Sequence, residues 1–175
     1  MRLDKLTTKS QEALQQAQLL AEKRNHQAID VEHLLFALLG QKEGVVLSLL
    51  QKLGVPAGTL VDRLQKALDR LPQVTGAAGQ TFITPRLKKI IEGAETEAEA
   101  LKDEYVSTEH LLLSIVQESG ESGKVLRELG ASRDKNYVRH TFGFRLKGIP
   151  SGPDEGKWVP DEDLINGEKR ATLAT

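Results

Sequence analysis

The chain has 175 residues, with 24 lysines and arginines against 25 aspartates and glutamates. So balanced a charge creates no field that would draw it to nucleic acid or to a membrane surface. With no cysteine, disulfide frameworks, thiolate metal sites and thiol nucleophiles are all excluded.

The opening "MRLDKLTTKS" holds no apolar run fit for a signal peptide, and no later stretch approaches the roughly 18 apolar residues of a membrane span. The composition reads as that of a soluble, cytoplasmic protein. Ala13, Leu14, Ala17, Leu20 and Ala21 recur at helical spacing and predict a first helix over Thr8 to Arg24. Thr8 with Gln11 fits a capping box at its start. The nearly all-apolar "VEHLLFALL" then predicts a short core helix behind Asp30, and "VLSLLQKLG" a third helix stopped at Gly54, where a left-handed C-cap is wanted. A fourth runs from about Ala57 to Leu71 with Leu60, Leu64, Leu68 and Leu71 facing inward, and Pro72 stops it.

After the glycine-rich connector "PQVTGAAGQTF" the design starts again. Thr84 is the expected N-cap, Pro85 the first helical residue, and Leu87, Ile90, Ile91, Ala94, Ala98 and Leu101 the apolar stripe. "TEHLLLSIV" repeats the short core helix behind Ser107, and "GKVLRELG" repeats the helix that ends in glycine. With His33 aligned on His110, Thr7 falls on Thr84, Leu14 on Ile91, Ala17 on Ala94, Ala21 on Ala98 and Leu49 on Leu126; a one-residue slip brings Gly54 onto Gly130. That register marks a duplicated unit. The expected fold is all-α: two pseudo-symmetric repeats of about four helices each, packed into one domain over 1–143. Repeat one covers about 1–71 and repeat two about 82–143, with its last helix starting near Ser132. An irregular tail with prolines and glycines follows over 144–175.

Both short helices open with Glu-His. With Asp30 and Ser107 as N-caps, Glu32 suits the positive end of the helix dipole. A neutral His33 or His110 at the third position can reach back to the N-cap amide, as glutamate does in a capping box. A metal site is the alternative, but neighbouring residues on a helix point about 100° apart and the H-E-x-x-H spacing is missing. These dipeptides therefore read as helix starts, and no metal is expected. "GPDEGKW" (Gly152 to Trp158) has three residues between its glycines instead of four and Trp158 where a magnesium-holding hydroxyl belongs, so it does not read as a phosphate loop. The carboxylate-rich "EGAETEAEALKDE" reads as a solvated helix face. No enzyme signal survives.

As a set, "MRLDKLTTKSQEALQQAQ", "NHQAIDVEHLLFALL", "LPQVTG", "TPRLKKIIEGAE" and "LKDEYVSTEHLLLSIV" resemble the N-terminal domain of Clp-type AAA+ chaperones, in the ClpB disaggregase branch, from Met1 to about Tyr137. The resemblance implies a non-catalytic domain seated on a hexameric ATP-driven ring, monomeric when isolated. It implies that ATP and magnesium belong to the ring and that this chain needs no cofactor. The implied partners are unfolded or aggregated client proteins and, in related branches, adaptor proteins; neither nucleic acid nor membrane is among them. A shallow apolar groove is the implied client site, and the family's client-handling positions fall on Thr7, Ile91, Asp103, Glu109 and His110. Position 110 is commonly aliphatic in this branch, and the stretch after Tyr137 departs from the family pattern. The alternative reading is a free-standing module that binds an adaptor or small ligand, or that regulates a ring in trans.

Overall fold

A computed structural model describes residues 3–75, 79–133 and 144–146. Seven α-helices are described: α1 (Thr8–Lys23), α2 (Val31–Leu39), α3 (Val45–Lys52), α4 (Ala57–Asp69), α5 (Pro85–Leu101), α6 (Thr108–Gln117) and α7 (Glu121–Glu128). Two short strand pairs accompany them: β1 (Ala28–Ile29) with β2 (Phe82–Ile83), parallel, and β3 (Ala131–Arg133) with β4 (Phe144–Leu146), antiparallel. The fold is all-α, as the periodicity requires. Helices α2 and α6 sit at its centre, each buried along nearly its whole length, and one apolar cluster draws on both repeats. The glycines expected to end α3 and α7 do adopt left-handed backbone, with φ of 79° at Gly54 and 115° at Gly130.

The two repeats interlock rather than merely pack. The strand before α2 pairs with the segment before α5, with Ile29 opposite Ile83. The segment before α6 pairs in parallel with the one before α1, with Val106 opposite Leu6. Backbone bonds repeat the exchange: Thr84 N donates to Ile29 O at 3.1 Å and Thr7 N to Val106 O at 3.0 Å. Each repeat thus closes the other's sheet edge, so neither half satisfies its own backbone alone.

Three expectations need correction. Helix α1 is capped by Thr7, whose hydroxyl accepts from Ser10 N, and not by Thr8; the alignment of Thr7 with Thr84 already pointed there. Ser132 lies in strand β3 and does not start a helix. The left-handed turn at Gly130 breaks helical geometry directly before it, and Ala131 is buried as the extended chain leaves α7. The third concerns 144–146: the stretch expected to be irregular contains strand β4, which pairs with β3. The phosphate-loop look-alike Gly152 to Trp158 and the rest of the tail lie outside the described residues.

Candidate functional site

Both histidines cap their own helices. Asp30 N donates to His33 Nδ1 and Ser107 N to His110 Nδ1, each at 2.9 Å. Because each Nδ1 accepts, the ring proton must sit on Nε2, which points to the next partner. For His110 that partner is Asp103 Oδ2 and for His33 it is His26 Nδ1, both at 2.8 Å. Asp103 and His26 occupy equivalent positions in the two repeats. His26 must then carry its proton on Nε2, which is buried without a partner among the described residues. Burial, and the neighbouring His26, lower the His33 pKa to about 4; burial, and then Arg24, lower that of His26.

Glu32 does more than face the helix dipole. Its carboxylate, 5% exposed, takes a bidentate bond from Arg86 Nη1 and Nη2, both at 2.9 Å. Arg86 also bonds Glu118 through Nε (2.9 Å) and Nη2 (2.6 Å), and lies 3.3 Å from Asp30 Oδ2. Burial opposes the guanidinium charge, but bonds to Glu118 and Glu32 outweigh it and hold Arg86 firmly protonated. Gly120 makes room for it: a Cβ there would lie 2.5 Å from the guanidinium nitrogens. The cluster ties α5 to the starts of α2 and α7 and was not legible in the sequence, where Arg86 is one cation among many. Glu97, inside the run read as a wet face, is likewise buried, and accepts from Gln117 Nε2 at 2.9 Å.

The five positions carried over from the family do not share one open surface. Ile91 is fully buried and His110 nearly so. Thr7 caps α1 and is half-buried, Glu109 is half-buried as the second residue of α6, and Asp103 is exposed in the loop before α6. Three of them meet around one loop, with Thr7 N on Val106 O and Asp103 on His110.

The open apolar surface is lined by none of these five residues. A groove of about 290 Å³ runs where the segment before α1, α1 itself and β2 meet, with Leu3, Leu6, Leu14, Ile83 and Leu87 among its walls. Leu14 is the repeat mate of Ile91, and Ile83 of Leu6. The polar lining is Gln11, Gln15 and Gln18, so no charge faces the groove. Leu3, Ile83 and the adjacent Phe82 are 51%, 38% and 53% exposed. The sequence signal was faint: an apolar residue placed just ahead of each capping threonine, Leu6 before Thr7 and Ile83 before Thr84.

A second and a third groove are themselves repeat mates. One, about 530 Å³, lies between α1 and α2; the other, about 620 Å³, between α5 and α6. Among the described residues there is no cluster of three or more His, Asp or Glu arranged to hold a metal ion, and no single helix is long and apolar enough to cross a membrane.

Comparisons with known proteins agree with this architecture. The model of the Clp repeat (R) N-terminal domain matches residues 5–129. The chaperone protein ClpB of Bdellovibrio bacteriovorus is 44% identical over 133 residues, which are 76% of this chain and 15% of that protein, so the chain spans about a sixth of the length of such relatives. The N-terminal domain of the ClpV1 ATPase from E. coli superposes with a TM-score of 0.64 at 24% identity, covering 73% of this chain and 77% of that one. A ClpV N-domain solved in complex with a VipB peptide gives a TM-score of 0.59 at 21% identity, covering 78% of this chain and 83% of that one. Both structural likenesses are of fold. The duplicated register, the interlocked repeats and the matched model together place this chain in the Clp repeat N-terminal domain family.

Proposed function

We propose that this chain is the client-docking N-terminal domain of a ClpB-like, ATP-dependent disaggregase, without catalysis of its own. It takes unfolded or aggregated polypeptide and passes it to an AAA+ ring, where ATP and magnesium do the work. The observation that carries this reading is the uncharged apolar groove with Leu3 and Ile83 exposed at its mouth and Phe82 beside it. Folded proteins hide the side chains such a groove accepts, and unfolded ones offer them. Its size suits one or two side chains, each worth roughly 1.5–3 kcal/mol when buried, against about 1–2 kcal/mol of backbone ordering per residue fixed. Binding is therefore weak, with a Kd nearer 1 mM than 1 μM, which suits release into a pore. The peptide seen on a ClpV N-domain supports a polypeptide ligand for this fold.

The test is fluorescence anisotropy with a labelled, permanently unfolded model protein. Ile83→Ser and Phe82→Ser, both at exposed positions, should each weaken binding several-fold while leaving the melting temperature nearly unchanged. Unaltered affinity in both would remove the groove from the account.

A further inference from the structure

The groove between α1 and α2 and its mate between α5 and α6 are built on the same backbone plan but carry different chemistry. The 77-residue offset that relates His33 to His110 carries Leu19 onto Thr96, Leu20 onto Glu97 and Ala37 onto Ser114. In the α5–α6 groove these polar groups are used internally. Glu97 accepts from Gln117, Ser114 donates to Ile90 O at 2.7 Å, and Arg86 is held by Glu32 and Glu118. Its lining charges, Arg86 and Lys89 against Glu97 and Glu118, cancel.

The α1–α2 groove has an apolar floor of Leu19, Leu20, Phe36 and Ala37, with Leu19 50% exposed. The fold does not require this, because its own second half folds with threonine, glutamate and serine at three of those positions. Around the floor stand Lys9, Lys23 and Lys42, all exposed, against the single carboxylate of Glu12. The rim is thus net positive by two charges, three lysines less one glutamate. An apolar floor inside a basic rim fits a segment with an apolar stripe and acidic flanks, and rejects a basic one by like-charge contact.

We propose that the α1–α2 groove is a second polypeptide-binding site, specific for an acidic amphipathic segment of a partner protein and separate from the uncharged groove at Leu3 and Ile83. The repeats have diverged accordingly. Repeat one keeps an apolar floor under a basic rim, and repeat two ties the polar groups of its own groove into the Arg86 and Glu97 bonds. The exposed lysines make little internal bonding beyond Lys9, which lies 3.4 Å from both Glu12 and Lys42 O, so their charge is available to a ligand.

The experiment is a methyl and amide NMR titration of the full chain with two synthetic helical peptides. Both carry the same leucine stripe; one has glutamate and the other lysine at every remaining position. The acidic peptide should shift Leu19, Leu20 and Ala37, with affinity falling at least tenfold between about 50 and about 300 mM salt. The lysine peptide should leave those signals in place. The triple variant Lys9→Glu, Lys23→Glu, Lys42→Glu changes exposed residues only and should exchange the two preferences. Leu19→Gln should weaken the acidic peptide without altering its salt dependence. The proposal is overturned if both peptides bind alike, if neither binds, or if charge reversal leaves the preference standing. Shifts confined to Leu3, Leu14 and Ile83 would also overturn it while leaving the client groove intact.

Discussion

His26 and His33 face each other through Nδ1 and Nε2 at 2.8 Å, both rings buried, and the equivalent atoms in repeat two are Asp103 Oδ2 and His110 Nε2 at the same 2.8 Å. The difference is consequential because the histidine pair has no place for a further proton. Protonating His33 on Nδ1 would aim a donor at Asp30 N–H, and protonating His26 on Nδ1 would aim one at His33 Nε2–H.

Acid should therefore destabilise this chain through repeat one. The folded pKa of His33, about 4, lies below its ordinary value near 6.5. Between those two values the unfolded chain binds more protons than the folded one, so stability is fully present above about pH 6.5 and falls as pH drops toward 4. The contribution of His33 is on the order of 3 kcal/mol, read as a fall in urea midpoint between pH 7 and pH 4.5. His26→Asp copies repeat two: it should lower stability at pH 7, because the site is buried, yet flatten the loss with acid. A midpoint that does not move over this range in the parent chain would contradict the tautomers assigned to the pair.

Arg86 should be costly to remove. Truncation by Arg86→Ala leaves the Glu32 carboxylate, 5% exposed, and that of Glu118, 7% exposed, without their cation. A loss of about 3 kcal/mol in chemical denaturation is expected. Gly120→Ala should cost part of the same energy by displacing the guanidinium. In a double-mutant cycle the two should be strongly non-additive, since each removes the same contacts. Additive effects would mean that Gly120 matters for its backbone and not for Arg86.

Gly93 offers a test with a change of sign. A Cβ on Gly93 would lie 2.4 Å from Ser114 Oγ but 3.5 Å from its Cβ. Gly93→Ala alone should destabilise by about 1–3 kcal/mol through overpacking of α5 against α6. In a Ser114→Ala background the clash is gone and the helix preference for alanine over glycine, roughly 1 kcal/mol, should make the same substitution stabilising. Thermal melting of the four proteins settles it.

The sequence was most legible where a local rule repeats. The helical stripes, the all-apolar α2 and α6, the turn glycines Gly54 and Gly130, and the reach of His33 and His110 to their N-cap amides all follow from spacing within a few residues. The N-cap of α1 was misplaced by one residue because two threonines in a row both satisfy the local rule; the bond from Ser10 N to Thr7, like the alignment of Thr7 with Thr84, decides between them. Contacts between residues far apart in the chain were not legible. Arg86 reaches Glu32 across 54 positions, and Ile29 finds Ile83 instead of a neighbour in its own repeat. Long-range pairing depends on the packed core, which spacing alone does not describe. The exposed groove was missed for a related reason: the family pattern pointed to Ile91, which packing buries, whereas its repeat mate Leu14 lines open surface.

The most direct test of client docking is an NMR titration of the isotope-labelled chain with a permanently unfolded model protein and, separately, with the folded form of that protein. Shifts are expected with the unfolded partner alone, clustered on Leu3, Leu14 and Ile83 and saturating toward millimolar concentration. Silence with both partners at that concentration, or equal shifts with the folded one, would contradict it.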